Sequence, residues 1–337
     1  MLILLHLTCC VLLLLQSQAQ QSKPVSVSEG DVIRVETSLV TLPVKVTDRR
    51  NHVVYGLNRD HFGVFENGVE QQVSFFEAPS ATVTDDAAKP LNVALMVDAS
   101  DSTEFKLERI QSAASAFVDL LRPQDRVLVV SFDREVRVLT KLTADREAVR
   151  QAILNIKTGG GTSLYNAIIQ VVERSFAQVA GPKVVVLLSD GVDTTSIEGT
   201  FDGTIRLAKM SDAVIYPIQY DTYSDFLEDR SRVNTARDTG SVALVTRNGE
   251  FLSEAYKRGT RYLRLLAENT AGHFQYAQSG KNLARAFAKV AEQLRQQYII
   301  GYYPKDKTAA QRKIEVKVAA PNTSVQTRKS YVYRPSK

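Results

Sequence analysis

Three short stretches of this chain gather side-chain oxygens without nitrogen or sulfur donors. Asp98-Ala99-Ser100-Asp101-Ser102 offers carboxylates and hydroxyls, Gly159-Gly160-Gly161-Thr162 places a hydroxyl behind three glycines, and Ser189-Asp190-Gly191 adds a further carboxylate. Taken together, Asp98, Ser100, Ser102, Thr162 and Asp190 form a set of two carboxylates and three hydroxyls. Such a set is hard and all-oxygen, which suits Mg²⁺, Mn²⁺ or Ca²⁺ and argues against zinc or copper. Mg²⁺ is the expected ion because it favours octahedral shells that retain waters. With mostly neutral hydroxyls around it, the ion keeps part of its positive charge and attracts a carboxylate from outside. That is a binding mechanism, not a catalytic one.

The letters Asp-x-Ser-x-Ser are common, so their position carries the argument. Leu91 to Val97, directly before Asp98, is a near-continuous apolar run, and so are Arg126 to Phe132, Val184 to Leu188 and Val214 to Gln219. Between and after them, helical periodicity marks Lys106 to Leu121, Arg146 to Ile156, Ser163 to Ala177, Thr204 to Met210, Glu254 to Asn269 and Asn282 to Gln296. Apolar strands alternating with amphipathic helices predict a doubly wound α/β domain with a mainly parallel, Rossmann-like sheet over 89–297. In that architecture ligands bind beyond the carboxyl ends of the strands, where all three oxygen-bearing stretches fall.

In order and context, Asp98, Ser100, Ser102, Thr162 and Asp190 resemble the metal-ion-dependent adhesion site of von Willebrand factor A domains. The resemblance implies that the two serines ligate the metal directly. It implies that the threonine and the aspartates do so directly or through water, and that an Asp or Glu of a partner completes the shell. The flanks resemble a bacterial secreted family of the same kind, of the Acidobacterial type, in the Val44 to Glu77 region and in Tyr298-Ile299-Ile300-Gly301-Tyr302-Tyr303-Pro304. Asp101 is a departure within the motif that raises local negative charge. Asp193 has two open readings, a residue that orients bound water or an ordinary turn aspartate.

Outside the α/β region the period is that of strands. Thr41 to Thr47 alternates, and Phe62 to Phe76 is expected to form a hairpin about Glu66-Asn67-Gly68-Val69, since Asn-Gly tolerates the positive φ of a type I′ turn. Tyr298 to Tyr303, Lys313 to Val318 and Val325 to Tyr333 are expected strands. Neither end is long enough to bury a core by itself, so 20–88 and 298–337 are expected to pair in a small β-sandwich into which the α/β domain is inserted. Ala81 to Pro90 has linker composition, and Tyr223 to Arg258 is a polar insertion whose role stays open.

The 337 residues are 44% hydrophobic and 23% charged, an ordinary globular composition. Met1 to Ala19 carries no charged side chain, contains the run Val11 to Leu15 and ends on small residues, which predicts a signal peptide cleaved near Ala19 and a secreted, extracellular or periplasmic protein without a transmembrane segment. A membrane anchor, for which the apolar run is short, and acylation at Cys9 are the alternatives. Cys9 and Cys10 are the only cysteines, so the remainder has no disulfide and no thiol nucleophile. From Tyr298 onward nine lysines and arginines stand against two acidic residues, a basic excess that alternates as a solvated strand face would, and no nucleic acid partner is expected.

An enzyme is not expected. A phosphotransferase with Asp98 as nucleophile would want a second Asp where Ser100 stands, and no Gly-x-Ser-x-Gly elbow accompanies His52, His61 or His273. The expected function is divalent-metal-dependent binding of a protein or acidic polymer that donates a carboxylate. A scaffold whose metal only rigidifies the fold is the alternative. Asn322-Thr323-Ser324 matches a glycosylation sequon.

Overall fold

The computed structural model describes residues 39–79, 90–220, 222, 249–278, 280–308 and 310–333. The expected signal segment, the 81–89 part of the linker and residues 223–248 of the insertion lie outside them.

The α/β part is built on β5 (Asn92–Asp98), β6 (Arg126–Phe132), β7 (Val136–Val138), β8 (Lys183–Ser189), β9 (Val214–Tyr220) and β10 (Gln275–Ala277), in the sheet order β10-β9-β8-β5-β6-β7. All pairings are parallel except β6 with the short edge strand β7. The four inner strands are buried on both faces, hence their unbroken apolar sequences. Alternate residues serve two layers. Val93, Leu95 and Val97 pack under α1 (Leu107–Asp119), α2 (Arg146–Leu154) and α6 (Gly280–Arg295). Ala94 and Met96 pack under α3 (Leu164–Ile169), α4 (Phe201–Met210) and α5 (Leu252–Thr270). Helix α1 shows why: Ile110, Ala113, Ala114, Phe117 and Val118 fall on one face at helical spacing. Helix α2 starts where Asp145 accepts from the N–H groups of Glu147 and Ala148.

Three expectations need correction here. The helix expected over Ser163 to Ala177 is an α-helix only to Ile169 and then widens into a π-helical turn, Gln170–Ser175, in which the Phe176 N–H reaches the carbonyl of Val171. The helix expected from Thr204 starts at Phe201, because Thr200 caps it by accepting from Gly203 N–H at 3.1 Å. The helix expected from Glu254 to Asn269 runs from Leu252 to Thr270, so the last residues of the polar insertion are helical.

Both ends of the chain build the flanking layers. The first sheet runs β13 (Ser324–Gln326), β1 (Val40–Thr47), β11 (Tyr298–Tyr302), β4 (Val73–Glu77), and the second runs β14 (Ser330–Tyr333), β12 (Ala310–Val318), β2 (Phe62–Glu66), β3 (Val69–Gln71). N-terminal strands therefore pair with C-terminal ones, β1 and β4 with β11 and β2 with β12. Val40, Leu42 and Val44 of one sheet share a core with Val64, Ile314 and Tyr331 of the other. The turn between β2 and β3 is the expected one, with φ of 49° at Asn67 and 82° at Gly68. The hairpin stops at Gln71, however, since β4 crosses to the other sheet. Val325 to Tyr333 likewise splits into β13 and β14, one in each sheet.

The basic excess of the C-terminal part is only partly a solvated face. Lys313 and Lys317 are exposed, but Arg312 and Arg328 are buried. Arg312 donates to Glu66 at 2.8 Å, and Glu66 also accepts from Tyr302 and Tyr331. Arg328 donates to the carbonyls of Ser211 and Ala213 beneath β9, tying the sandwich to the α/β layer.

Candidate metal centre

The chain runs from β5 outward to β6 and then returns to the other side of β5 to form β8. The loops leaving β5 and β8 therefore diverge, and the crevice between them is the switch point where such sheets bind ligands. Asp98 is the last residue of β5, and Asp190 follows the last residue of β8.

Each expected residue has a definite place. Asp98 is buried; its Oδ1 accepts the Ser100 N–H at 3.1 Å and its Oδ2 accepts the Ser189 hydroxyl at 2.7 Å. The hydroxyls of Ser100 and Ser102 are 3.0 Å apart, with Ser100 buried and Ser102 exposed at the rim. A turn of 3-10 helix, Asp101–Lys106, begins there, closed by Thr103 donating to the Ser100 carbonyl at 2.7 Å. Gly159 pairs with Ser100 and donates its N–H to the Ala99 carbonyl at 2.9 Å, so the triple-glycine loop lies along the Asp98 loop. Thr162 is held through its backbone: its carbonyl accepts from Thr194 and Thr195, and its N–H donates to the Thr194 hydroxyl at 2.9 Å. Asp190 is buried, with Oδ1 accepting from Val192 N–H and Oδ2 from the Thr222 hydroxyl at 2.7 Å.

Asp98 and Asp190 are close enough to repel. Burial first, and then the Asp190 charge, push the Asp98 carboxyl up to about 7, against the opposing pull of Ser100 and Ser189. Among the described residues no ion pair involves Asp98, and the groups that meet it are hydroxyls, one N–H and a second carboxylate. Nor, among the described residues, do three His, Cys, Asp or Glu side chains cluster as a metal-holding group. The donor set is thus hydroxyl-rich, and its chemistry fits a hard divalent cation.

Asp193 is a turn-and-cap residue. It accepts from the Tyr165 N–H at 3.0 Å, at the start of α3, and from the Ser196 hydroxyl at 2.5 Å. The three described histidines have other partners: His52 faces Asp48, His61 closes a turn with Asn58, and His273 lies near Gln326 of the sandwich. None sits with a serine as a base would.

Sequence reasoning missed the residues that hold the carboxylates. Ser189 was visible as the neighbour of Asp190, but its inward position emerges only from strand register. Thr222 lies two residues past β9, and Tyr256, whose hydroxyl is 2.5 Å from Thr222 Oγ1, lies in the second turn of α5. Gln219 links the same parts, donating to the Asp190 carbonyl at 3.0 Å and to Thr260 at 2.8 Å. Two glycines bring α5 close enough. Gly191 has φ of +88°, and a Cβ there would lie 2.6 Å from the Gly259 carbonyl oxygen.

Residues 93–192 match the family model of the von Willebrand factor type A domain, a stretch from β5 through the loop after β8 that holds Asp98, Thr162 and Asp190. A UPF0353 protein of Nocardia farcinica is 27% identical over 220 residues, 60% of this chain and 61% of that protein. An uncharacterized protein of Synechocystis, sll0103, is 34% identical over 82 residues, 23% of this chain and 20% of that one. The chain thus spans less than two thirds of either relative. Among solved structures, a von Willebrand factor type A protein from Catenulispora acidiphila aligns with a TM-score of 0.47 at 12% identity, over 89% of this chain and 75% of its own. Proximal thread matrix protein 1 of the mussel byssus, solved with a zinc-occupied MIDAS motif, aligns at 0.46 and 16% identity, over 65% of this chain and 48% of its own. The α/β layer that carries the family match is a mainly parallel sheet, flanked here by antiparallel sheets. Among the described residues no helix is long and apolar enough to cross a membrane.

Proposed function

We propose that the von Willebrand factor type A domain of this chain holds Mg²⁺ through Ser100, Ser102 and Thr162, with Asp98 and Asp190 anchoring it, and offers the ion to a carboxylate of a protein or acidic polymer. The observation that carries this reading is the pair of buried carboxylates, Asp98 and Asp190, which lie at the ends of adjacent strands at the switch point and are close enough to repel, with the Ser100 and Ser102 hydroxyls on the loop that follows Asp98. A cation turns that repulsion into attraction. Ser102 is exposed, so a partner can approach the rim. The hydroxyl-rich shell leaves the ion charge to satisfy. Mn²⁺ and Ca²⁺ are chemically compatible alternatives. The protein acts as a binding module and works outside the cytoplasm, in keeping with its apolar N-terminal segment and with flanks like those of the secreted Acidobacterial-type family.

Calorimetric titration with MgCl₂ and MnCl₂ tests the reading, comparing wild type with an Asp98→Ala, Ser100→Ala double variant. Saturable binding to the wild type and none to the variant is expected. Equal heats from both would end it.

A further inference from the structure

We propose that Thr222 and Tyr256 are positioning residues of the metal centre, forming a hydroxyl relay that fixes the Asp190 carboxylate and thereby favours Mg²⁺ over Ca²⁺. This assignment rests on the metal reading above.

The direction of the relay follows from proton counting. Thr222 has one hydroxyl proton, and it goes to Asp190 Oδ2 at 2.7 Å, because a carboxylate can only accept. The Tyr256 hydroxyl, 2.5 Å from Thr222 Oγ1, also interacts directly with the Asp190 side chain, so its proton is shared between Thr222 and that carboxylate. Thr222 is buried, and the relay runs inward from helix α5 to the metal rim.

Together with the Val192 N–H on Oδ1, the Thr222 hydroxyl leaves the Asp190 carboxylate little freedom to rotate. A fixed carboxylate suits an ion that demands near-ideal octahedral geometry. Ca²⁺ accepts 6–8 oxygens in flexible shells, including a bidentate carboxylate, and loses less when the group is loosened. Partners of this outer kind commonly contribute about tenfold or more to metal affinity.

The test titrates the full chain with MgCl₂ and, separately, CaCl₂ for wild type, Thr222→Val, Thr222→Ser and Tyr256→Phe, with urea denaturation in EDTA to establish that each variant is folded. Thr222→Val should weaken Mg²⁺ binding about tenfold and Ca²⁺ binding less. Thr222→Ser, which keeps the hydroxyl, should stay near wild type, and Tyr256→Phe should show a smaller loss in the same direction as Thr222→Val. A purely structural role would lower stability without changing the ratio of the two affinities. If Thr222→Val does not fold, Tyr256→Phe against wild type decides. Variants with unchanged affinities, or equal losses in Thr222→Val and Thr222→Ser, overturn the relay alone. A wild type that binds neither ion overturns the metal reading and takes the relay with it.

Discussion

Ser189 donates its hydroxyl proton to Oδ2 of Asp98 over 2.7 Å while accepting the Gly191 N–H over 3.0 Å. One side chain thus joins the ends of the two central strands and shapes the turn that carries Asp190. The Asp98 carboxylate is fixed before any ion arrives.

Ser189→Ala removes that donor from a buried carboxylate. Hydrogen bonds to charged groups contribute about 1.5–3 kcal/mol, so at a pH above the Asp98 titration, pushed up to about 7, stability in EDTA should fall by roughly that amount. Urea denaturation of the two proteins measures it, and an unchanged midpoint would show that Ser189 holds nothing.

Gly259→Ala tests the approach of α5 to the metal rim. Its Cβ would lie 2.7 Å from the Gly191 carbonyl carbon and 3.1 Å from the Asp190 carbonyl oxygen, both backbone atoms. Forced contacts of this kind cost about 1–3 kcal/mol. The turn that bears Asp190 must shift, so Mg²⁺ affinity should drop together with thermal stability. Retention of both would mean that the helix yields freely.

Arg312→Leu leaves Glu66 buried beside the hydroxyls of Tyr302 and Tyr331 without its cation. Breaking a buried pair from one side costs about 3–5 kcal/mol. Denaturant titration should show that loss, while Mg²⁺ affinity at the distant strand ends stays as in wild type. A fall in affinity as large as the fall in stability would contradict the separation of the two regions.

His273 sets a pH dependence. Burial, and then the Lys45 ammonium, hold its imidazole below the usual 6.5. The unfolded chain therefore takes up this proton at higher pH than the folded protein does. Stability from this group is intact above about pH 6.5 and is lost as pH falls below it. Between pH 7.5 and 5.5 the wild type should lose more stability than His273→Gln, and equal losses would remove the histidine from the account.

The α/β layer was legible because inner parallel strands and amphipathic helices leave distinct periods, and Asn67-Gly68 announced its turn through the only backbone geometry it favours. The placement of Asp98, Ser100, Ser102, Thr162 and Asp190 in loops at one rim of the sheet was legible because the carboxyl ends of strands in a doubly wound sheet lie along one edge. The crossing of β4 between sheets was not, since an apolar alternation such as Val73 to Glu77 suits either sheet and only its pairing with β11, with Phe76 packed against Tyr298 and Phe62, selects one. The buried Arg312 and Arg328 escaped for a related reason: charge in a sequence carries no sign of the carbonyls or carboxylate that will meet it. Thr222 and Tyr256 lie at positions with no spacing rule at all.

The pairing of β1 with β11 has a consequence for the order of events at the ribosome. Val40 meets Tyr302, and Phe62 of β2 meets Val318. β1 thus waits for more than two hundred further residues before either of its neighbours exists, and β2, which pairs early with β3, waits as long for β12, while every strand of the parallel sheet emerges in between. Contacts so distant along the chain close slowly. The α/β layer should therefore assemble during translation, and closure of the sandwich should be the slow last step in refolding. Until then β1 and β2 expose unpaired edges to other chains.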